Sequence, residues 1–357
     1  MGNIYLHGNF INMIKFGYRA VEEKYQPSQL LTYAALAEKQ GFEFVCISDH
    51  FLPWFHKDGH SGHAWIWIAA AGAKTKKVRL GTGVTTCIYR YHPAIVAQAF
   101  ASLDELYPGR IFLGMGTGEA MNEEPIGLNW PSFDERLERT VEAVQIIKSL
   151  WEKDFVDFKG KYYNLRKTNL YTKPMKKIPI YFAASGTKAS RAAGRLGDAL
   201  MTTDFDRERV LRIFASFEEG VKESGRRVED MPKMVEMKVS YDEDYDKALD
   251  SLSVWKATTI PGIFSSPISD PRELDKMGET VDPARLAKKS LHQHGTSHTK
   301  NRGIHRNRLQ RNTGRQLKSR RTKIHPRIWQ KSSTISSRKI FHSLKFPRIP
   351  HPLIVHQ

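Results

Sequence analysis

The chain has 357 residues, enough for one large α/β domain or two smaller ones with a sizeable buried core. Its net charge of +18 looks like a nucleic-acid signal until it is located: residues 291–357 carry 16 of the 56 Lys and Arg and no Asp or Glu, so the remainder is close to neutral. No apolar run approaches the roughly 20 residues that span a bilayer, residues 1–12 lack a signal-peptide pattern, and Cys46 and Cys87 have neither metal-ligand nor disulfide spacing, which together predict a soluble cytoplasmic protein.

Residues 1–12 are polar and unpatterned, and Met13 is a candidate start. Met13 to Tyr18 reads as a first strand. Pro27 to Gln40 has an apolar face at helical spacing and is closed by Gly41. Phe44 to His50 is a second, buried strand ending on two ionisable residues, followed by a polar loop, a tryptophan- and alanine-rich helix to about Thr75, and strand Val78 to Thr86. The helix opening at His92-Pro93 has Ile95, Val96, Phe100, Leu103 and Leu106 as its expected core face. Arg110-Ile-Phe-Leu113 is an apolar strand that runs into Gly114, Gly116 and Gly118 and then Glu119. A dinucleotide fingerprint would need a helix opening at those glycines, and Glu-Ala-Met-Asn-Glu-Glu-Pro125 follows instead.

A long amphipathic helix over Phe133 to Trp151 comes next, then a hairpin over Val156 to Leu165. Strand Ile178 to Ala184, helix Thr187 to Leu196, strand Ala199 to Thr203, helix Arg207 to Ser224, strand Val235 to Ser240 and a helix around Tyr245 to Trp255 complete seven strand-helix units. Seven such units with apolar strands predict a parallel sheet covered by helices, with an eight-unit (β/α)8 TIM barrel as the leading closure. Functional groups in such a barrel collect at the carboxyl ends of strands, here Asp49-His50, Gly83 to Thr86, Gly116 to Glu119, Ser185-Gly186 and Thr202-Thr203.

An eighth unit should lie beyond about residue 285, yet residues 291–357 contain no Ala, Asp, Glu, Cys, Met or Tyr, so the eighth unit reads as missing or corrupted. The preferred reading is a tail translated out of frame; a disordered arginine-rich tail and a nucleic-acid-binding appendage are the alternatives, and a basic run by itself lacks specificity. The domains expected are therefore a 1–12 extension, a 13–290 barrel and a 291–357 basic tail.

Three stretches carry a resemblance: Ser48-Asp-His-Phe-Leu-Pro-Trp54, Tyr89 to Phe100, and Tyr107 to Glu123. Together, over about Met13 to Lys289, the chain resembles the deazaflavin-dependent branch of the luciferase-like superfamily, in particular its coenzyme F420-dependent glucose-6-phosphate and secondary alcohol dehydrogenases. The resemblance implies a luciferase-like TIM barrel, usually a homodimer, that passes hydride between an alcohol or sugar hemiacetal carbon and F420. Alternatives are a methylenetetrahydromethanopterin reductase-like F420 enzyme, an FMN-dependent luciferase-like monooxygenase and, from another class, a nucleic-acid-binding protein acting through the tail.

Alcohol oxidation needs a group to take the hydroxyl proton and a flat acceptor within contact of the carbon. His50 is the candidate base or transition-state stabiliser, Asp49 a substrate- or cofactor-binding or orienting group, and Trp54 a wall of the cleft. Glu119 matches the family's second acid/base carboxylate. Gly83-Val84 matches its non-prolyl cis peptide behind the deazaflavin, and Thr86, Thr117, Gly118, Glu119 and Asn122 join it as cofactor-binding candidates. Ser185, Gly186 and Thr187 open a helix whose free N–H groups suit a phosphate. The glucose-6-phosphate enzymes hold the substrate phosphate with two lysines and an arginine, and the matching positions are Asp206, Ser265 and Lys289, which makes that substrate a poor fit; nearby Arg207 is the residue that would compensate. Trp65-Ile-Trp67 and Tyr171 to Pro174 lean toward the alcohol dehydrogenases. His56, His60 and His63 lack the surroundings of a metal site, so no metal is expected.

Overall fold

The computed structural model describes residues 15–203, 206–241, 244–282, 285, 291–293 and 353–356. The predicted units appear in order. Strands β1 (Lys15–Ala20), β2 (Phe44–Ile47) and β3 (Arg79–Thr82) alternate with helices α1 (Pro27–Lys39) and α2 (Ala64–Lys74). The two-residue β4 (Thr85–Thr86), helix α3 (Pro93–Leu106), β5 (Ile111–Gly116) and α4 (Phe133–Glu152) follow. The expected hairpin is β6 (Val156–Lys159) and β7 (Asn164–Thr168), paired antiparallel. Then come β8 (Ile180–Ala183), α5 (Thr187–Leu196), β9 (Ala199–Thr203), α6 (Arg207–Glu223) and β10 (Lys233–Met237). The seventh strand breaks after β10 into the separate β11 (Val239–Tyr241), and α7 (Tyr245–Asp250), a run of short turns to Ser265 and α8 (Pro271–Glu279) cap that side.

Neighbouring strands pair in the ring order β3, β2, β1, β13 (Leu353–His356), β10, β9, β8, β5 and back to β3. Seven of the eight are mutually parallel where they pair. The eighth place differs from the expectation. It is filled by β13 (Leu353–His356), which lies antiparallel between β1 and β10, with Val355 opposite Phe16 and Val235. The slot left without a parallel eighth strand has unpaired N–H and C=O groups on both sides, and an apolar Leu-Ile-Val segment satisfies them in the reverse direction. A further strand, β12 (Leu291–Gln293), pairs parallel with β11 outside the ring. Residues 1–12 and Lys289 lie outside the described residues.

The strands are apolar because both faces are buried, against the helices outside and within the barrel. Phe44, Cys46, Phe112, Tyr181, Met201 and Met234 form an apolar cluster with a composition separate from the larger helix-facing core. Both cysteines are buried and free, as packing residues would be. The α3 core face needs correction: Val96, Ala97, Phe100, Ala101 and Leu103 are buried, but Ile95 and Leu106 are more than half exposed. Those two flank the buried stripe, which is narrower than the apolar spacing suggested. No helix among the described residues is long and apolar enough to cross a membrane.

Candidate active site

The carboxyl ends of the strands open into one cavity of about 490 Å³. Of the residues expected from sequence, His50, Trp54, Gly83, Val84, Thr86, Thr117, Gly118, Glu119, Asn122, Ser185 and Gly186 line it. Asp49 and Thr187 are not among its described lining residues, and Lys289 lies outside the described residues. The cavity also takes in residues that the sequence reading did not single out, chiefly Arg19, Glu23, Glu236 and Phe264.

His50 stands at the centre. Its Nδ1 lies 3.1 Å from Glu23 Oε1 and its Nε2 3.2 Å from Glu119 Oε2. Both contacts are ones of charge proximity and not aligned hydrogen bonds, since neither His50 Nδ1 nor Glu119 Oε2 has a hydrogen-bond partner. Glu23 comes from the turn after β1, His50 from the end of β2 and Glu119 from the end of β5, so three strand ends converge on one imidazole. Ser48 Oγ donates to Glu23 Oε2 at 2.7 Å and fixes that carboxylate. Burial alone would lower the imidazole pKa; Glu119 first, then Glu23, outweigh it and push it up to about 9. Glu23, though buried, is pulled down to about 2 mainly by His50. Burial raises Glu119 above the usual carboxylate range, with His50 opposing. The resting site therefore holds His50 as imidazolium at neutral pH.

The main chain around His50 is tied on every side. His50 N–H donates to Glu22 Oε1 at 3.1 Å, Ser61 Oγ donates to His50 O at 2.6 Å, and Phe51 N–H donates to Asn122 Oδ1 at 2.8 Å. Trp54 is buried and meets Phe264 edge-on with ring centroids 4.9 Å apart, which gives the cavity an apolar wall.

Asp49 is placed differently from its neighbour. Its carboxylate, only 2% exposed, pairs with Arg90 Nη2 at 3.0 Å and accepts from Thr85 Oγ1 at 2.6 Å and Tyr91 OH at 3.3 Å. Alternation along an extended chain sends Asp49 and His50 to opposite faces. His50 takes the cavity, and the Asp49 side chain lies in the packing between β2, β4 and the start of α3.

Behind the cavity the Gly83–Val84 peptide is cis. A Cβ at Gly83 would lie 1.8 Å from Arg19 Nη1, so the absence of a side chain there makes room for a buried guanidinium. Arg19 donates to Ser48 Oγ at 3.3 Å and lies 3.9 Å from Glu236 Oε2. Burial works against its charge, and Glu236 foremost restores it. Of Gly114, Gly116 and Gly118, only Gly118 has positive φ, at 76°, which turns the chain so that Glu119 faces His50.

At the opposite side, α5 opens at Gly186 with no side-chain cap, leaving first-turn N–H groups toward the cavity beside Ser185 and Ala189. Asp206 is the N-cap of α6, accepting from the N–H groups of Glu208 and Arg209. Arg209, Lys238 and Ser265 line the cavity nearby. The other substrate cues do not reach it. Trp65 and Trp67 lie in α2 and donate to Thr85 Oγ1 and Pro27 O, and Tyr171 is 90% exposed. No metal-binding group of His, Cys, Asp and Glu occurs among the described residues.

A parallel barrel with an acid-base cluster at the carboxyl ends of its strands suits a luciferase-like oxidoreductase scaffold. The luciferase-like monooxygenase family profile matches residues 11–325, and the chain belongs to that family. It is 42% identical over 277 residues to an F420-dependent glucose-6-phosphate dehydrogenase of Beutenbergia cavernae, covering 77% of this chain and 82% of the relative. An enzyme of the same description from Microbacterium testaceum is 38% identical over 280 residues, covering 78% and 83%. Among solved structures, an F420-dependent secondary alcohol dehydrogenase with an F420-acetone adduct superposes with a TM-score of 0.74 at 40% identity, covering 77% of this chain and 84% of that one. The F420-dependent tetrahydromethanopterin reductase of Methanopyrus kandleri, at 21% identity and a TM-score of 0.63 over 78% and 85%, shares the fold.

Proposed function

We propose that the protein is an F420-dependent dehydrogenase that moves hydride between the carbon of an alcohol or sugar hemiacetal and the deazaflavin. The observation that carries this is His50 held between Glu23 and Glu119 at the cavity mouth. The named activities of the relatives at 38–42% identity support the same reading. The residues present fit the coenzyme on two grounds: a buried Thr202 hydroxyl in the lining has no partner, and the uncapped start of α5 offers N–H donors to an anion. Gly83, Val84, Thr86, Thr117 and Gly118 would back and edge the ring, Asn122 would hold the loop beside it, and Ser185 and Gly186 would take the phosphate.

When bound, F420 supplies the hydride acceptor. The chain's own residues manage the proton. With the resting proton on His50, a hydroxyl entering beside it meets a fixed positive charge that stabilises the oxygen as its proton leaves. Glu119, whose Oε2 makes no hydrogen bond and whose pKa is raised by burial, takes that proton. Glu23 keeps the imidazolium in place, and Trp54 with Phe264 closes the apolar side of the substrate space.

An uncharged alcohol suits this wall better than a sugar phosphate. The Asp206 carboxylate caps α6 near where a phosphate would be held, while Arg209 and Lys238 are cations of the lining on that side. The test is purified full chain with oxidised F420 and a panel containing isopropanol and glucose 6-phosphate. Substrate-dependent bleaching of F420 is the expected result, and failure to bind or bleach F420 with every member would overturn the proposal.

Homodimerisation and a cytoplasmic location accompany this reading. For the chain's organisation we retain the division into a barrel over 13–290 and a tail over 291–357 read out of frame. The lengths of the relatives' matches, 277 and 280 residues, suit a unit of that size, whereas the family profile, which extends to residue 325, and β13, which takes a place in the ring, do not. Sequencing the gene around codon 290 decides between them.

A further inference from the structure

Glu22 has no place in the chemistry above, yet it is fully buried beside it. One oxygen accepts from His50 N–H at 3.1 Å. The other is buried without any hydrogen-bond partner and lies 3.7 Å from where a Cβ on Gly62 would stand, in a space also bounded by Pro27. The charged and titratable groups around it are Glu23 on its own turn, Asp49 and His50 at the end of β2, and Tyr91 before α3. Two of these four are acids. A carboxylate with one bare oxygen, facing Glu23 and Asp49 and lacking solvent, is the costly form; the neutral acid is the stable one.

We propose that Glu22 is a positioning residue whose buried carboxyl group, carrying its proton, anchors the main chain of His50 so that the imidazole stands between Glu23 and Glu119. Burial foremost, and then Glu23, push its pKa up to about 9, which agrees with the geometry. Ser61 and Asn122 hold the oxygen of His50 and the nitrogen of Phe51, and Glu22 supplies the remaining tie at the nitrogen of His50. The proton matters as much as the hydrogen bond. An ionised Glu22 would give His50 a third carboxylate neighbour and tighten its hold on the proton.

The proposal rests on His50 serving the acid-base step, so the experiment separates the two claims. In the full chain without coenzyme, E22Q keeps shape and neutrality, and E22A removes the tie. Native Glu22 retains a proton that the unfolded chain loses above about pH 4.5, so wild-type stability falls with rising pH in a way that E22Q does not share. The ratio of their unfolding equilibrium constants, from urea titrations, should approach a tenfold change per pH unit between pH 5 and 8. The His50 imidazole signal by NMR should titrate alike in wild type and E22Q below pH 8 and be displaced in E22A. With F420 and the best alcohol of the panel, E22Q should retain turnover within threefold, and E22A should lose at least tenfold in kcat with KM little changed. A pH-independent ratio for E22Q, or an E22Q as impaired as E22A, would overturn the proposal. If no alcohol bleaches F420 in any variant, the function reading fails while the urea and NMR results still judge Glu22.

Discussion

Replacing Glu23 by Gln removes one of the two carboxylates that hold the His50 imidazolium while keeping the side-chain volume. The contact is 3.1 Å, and unit charges at that separation interact by roughly 5 kcal/mol at an effective dielectric constant near 20. The observed balance is smaller, because burial opposes the charged form: His50 rises from 6.5 to about 9 with both carboxylates acting. Loss of one opposite charge at this range lowers a pKa by about 1–3 units, which brings His50 in E23Q to roughly 6–8 and leaves much of it neutral at pH 7.5. The His50 limb of the kcat profile should move to lower pH by that amount, and the imidazole NMR signal of coenzyme-free protein should move with it. Stability gives a second reading. A histidine raised to about 9 contributes stability fully below its unfolded pKa near 6.5 and loses it as pH rises through about 9. A rise of this size corresponds to about 3 kcal/mol, and the depression of Glu23 to about 2 is the same interaction seen from its partner, lost as pH falls from about 4.5 through 2. The urea-derived gap between wild type and E23Q should therefore be widest near pH 5–6 and narrow toward pH 10. A gap that is flat from pH 5 to 10, together with an unmoved His50 titration, would refute the reasoning.

Glu119→Gln should lower turnover by about 100-fold or more, as removal of a proton-transfer group does, with F420 affinity changed less than threefold by fluorescence titration. Asp49→Asn should act on stability more than on chemistry: it strands Arg90 and should cost about 3–5 kcal/mol in urea unfolding, while the fraction that stays folded keeps most of its kcat. Gly83→Ala places a methyl group against Arg19 and should cost roughly 1–3 kcal/mol by overpacking, with weaker F420 binding measured by the same titration.

Much of this architecture was open to reading because strands buried on both faces make continuous apolar runs, and because polar residues break those runs at the barrel mouth. His50 and Glu119 stood out as ionisable groups directly after such strands. Glu23 did not, although it lies after β1 in the same way, because Glu22-Glu23-Lys24 looks like an ordinary charged turn and only tertiary contact buries it. The rule that found the other strand ends, applied to β1, would have reached it. Glu236, a carboxylate between Val235 and Met237, was hidden inside an apolar strand and is understood through Arg19, two strands away around the ring. Asp49 and His50 adjoin in sequence, yet their side chains have different partners, Arg90 and Thr85 for the first and Glu23 and Glu119 for the second. The reversed β13 was not legible, since a four-residue apolar segment some 60 residues past the expected unit carries no mark of direction.

The close approach of Arg19 to Gly83 makes these two positions a single unit of variation. A side chain at 83 obliges the guanidinium of Arg19 to move, and a displaced Arg19 leaves the Glu236 carboxylate it approaches at 3.9 Å. Changes at 19, 83 and 236 should thus be strongly non-additive, each harmful alone and tolerable in the right company. A library built to reshape the ring-facing wall of this cavity would gain by varying the three together, since one-at-a-time scanning would score each as fixed.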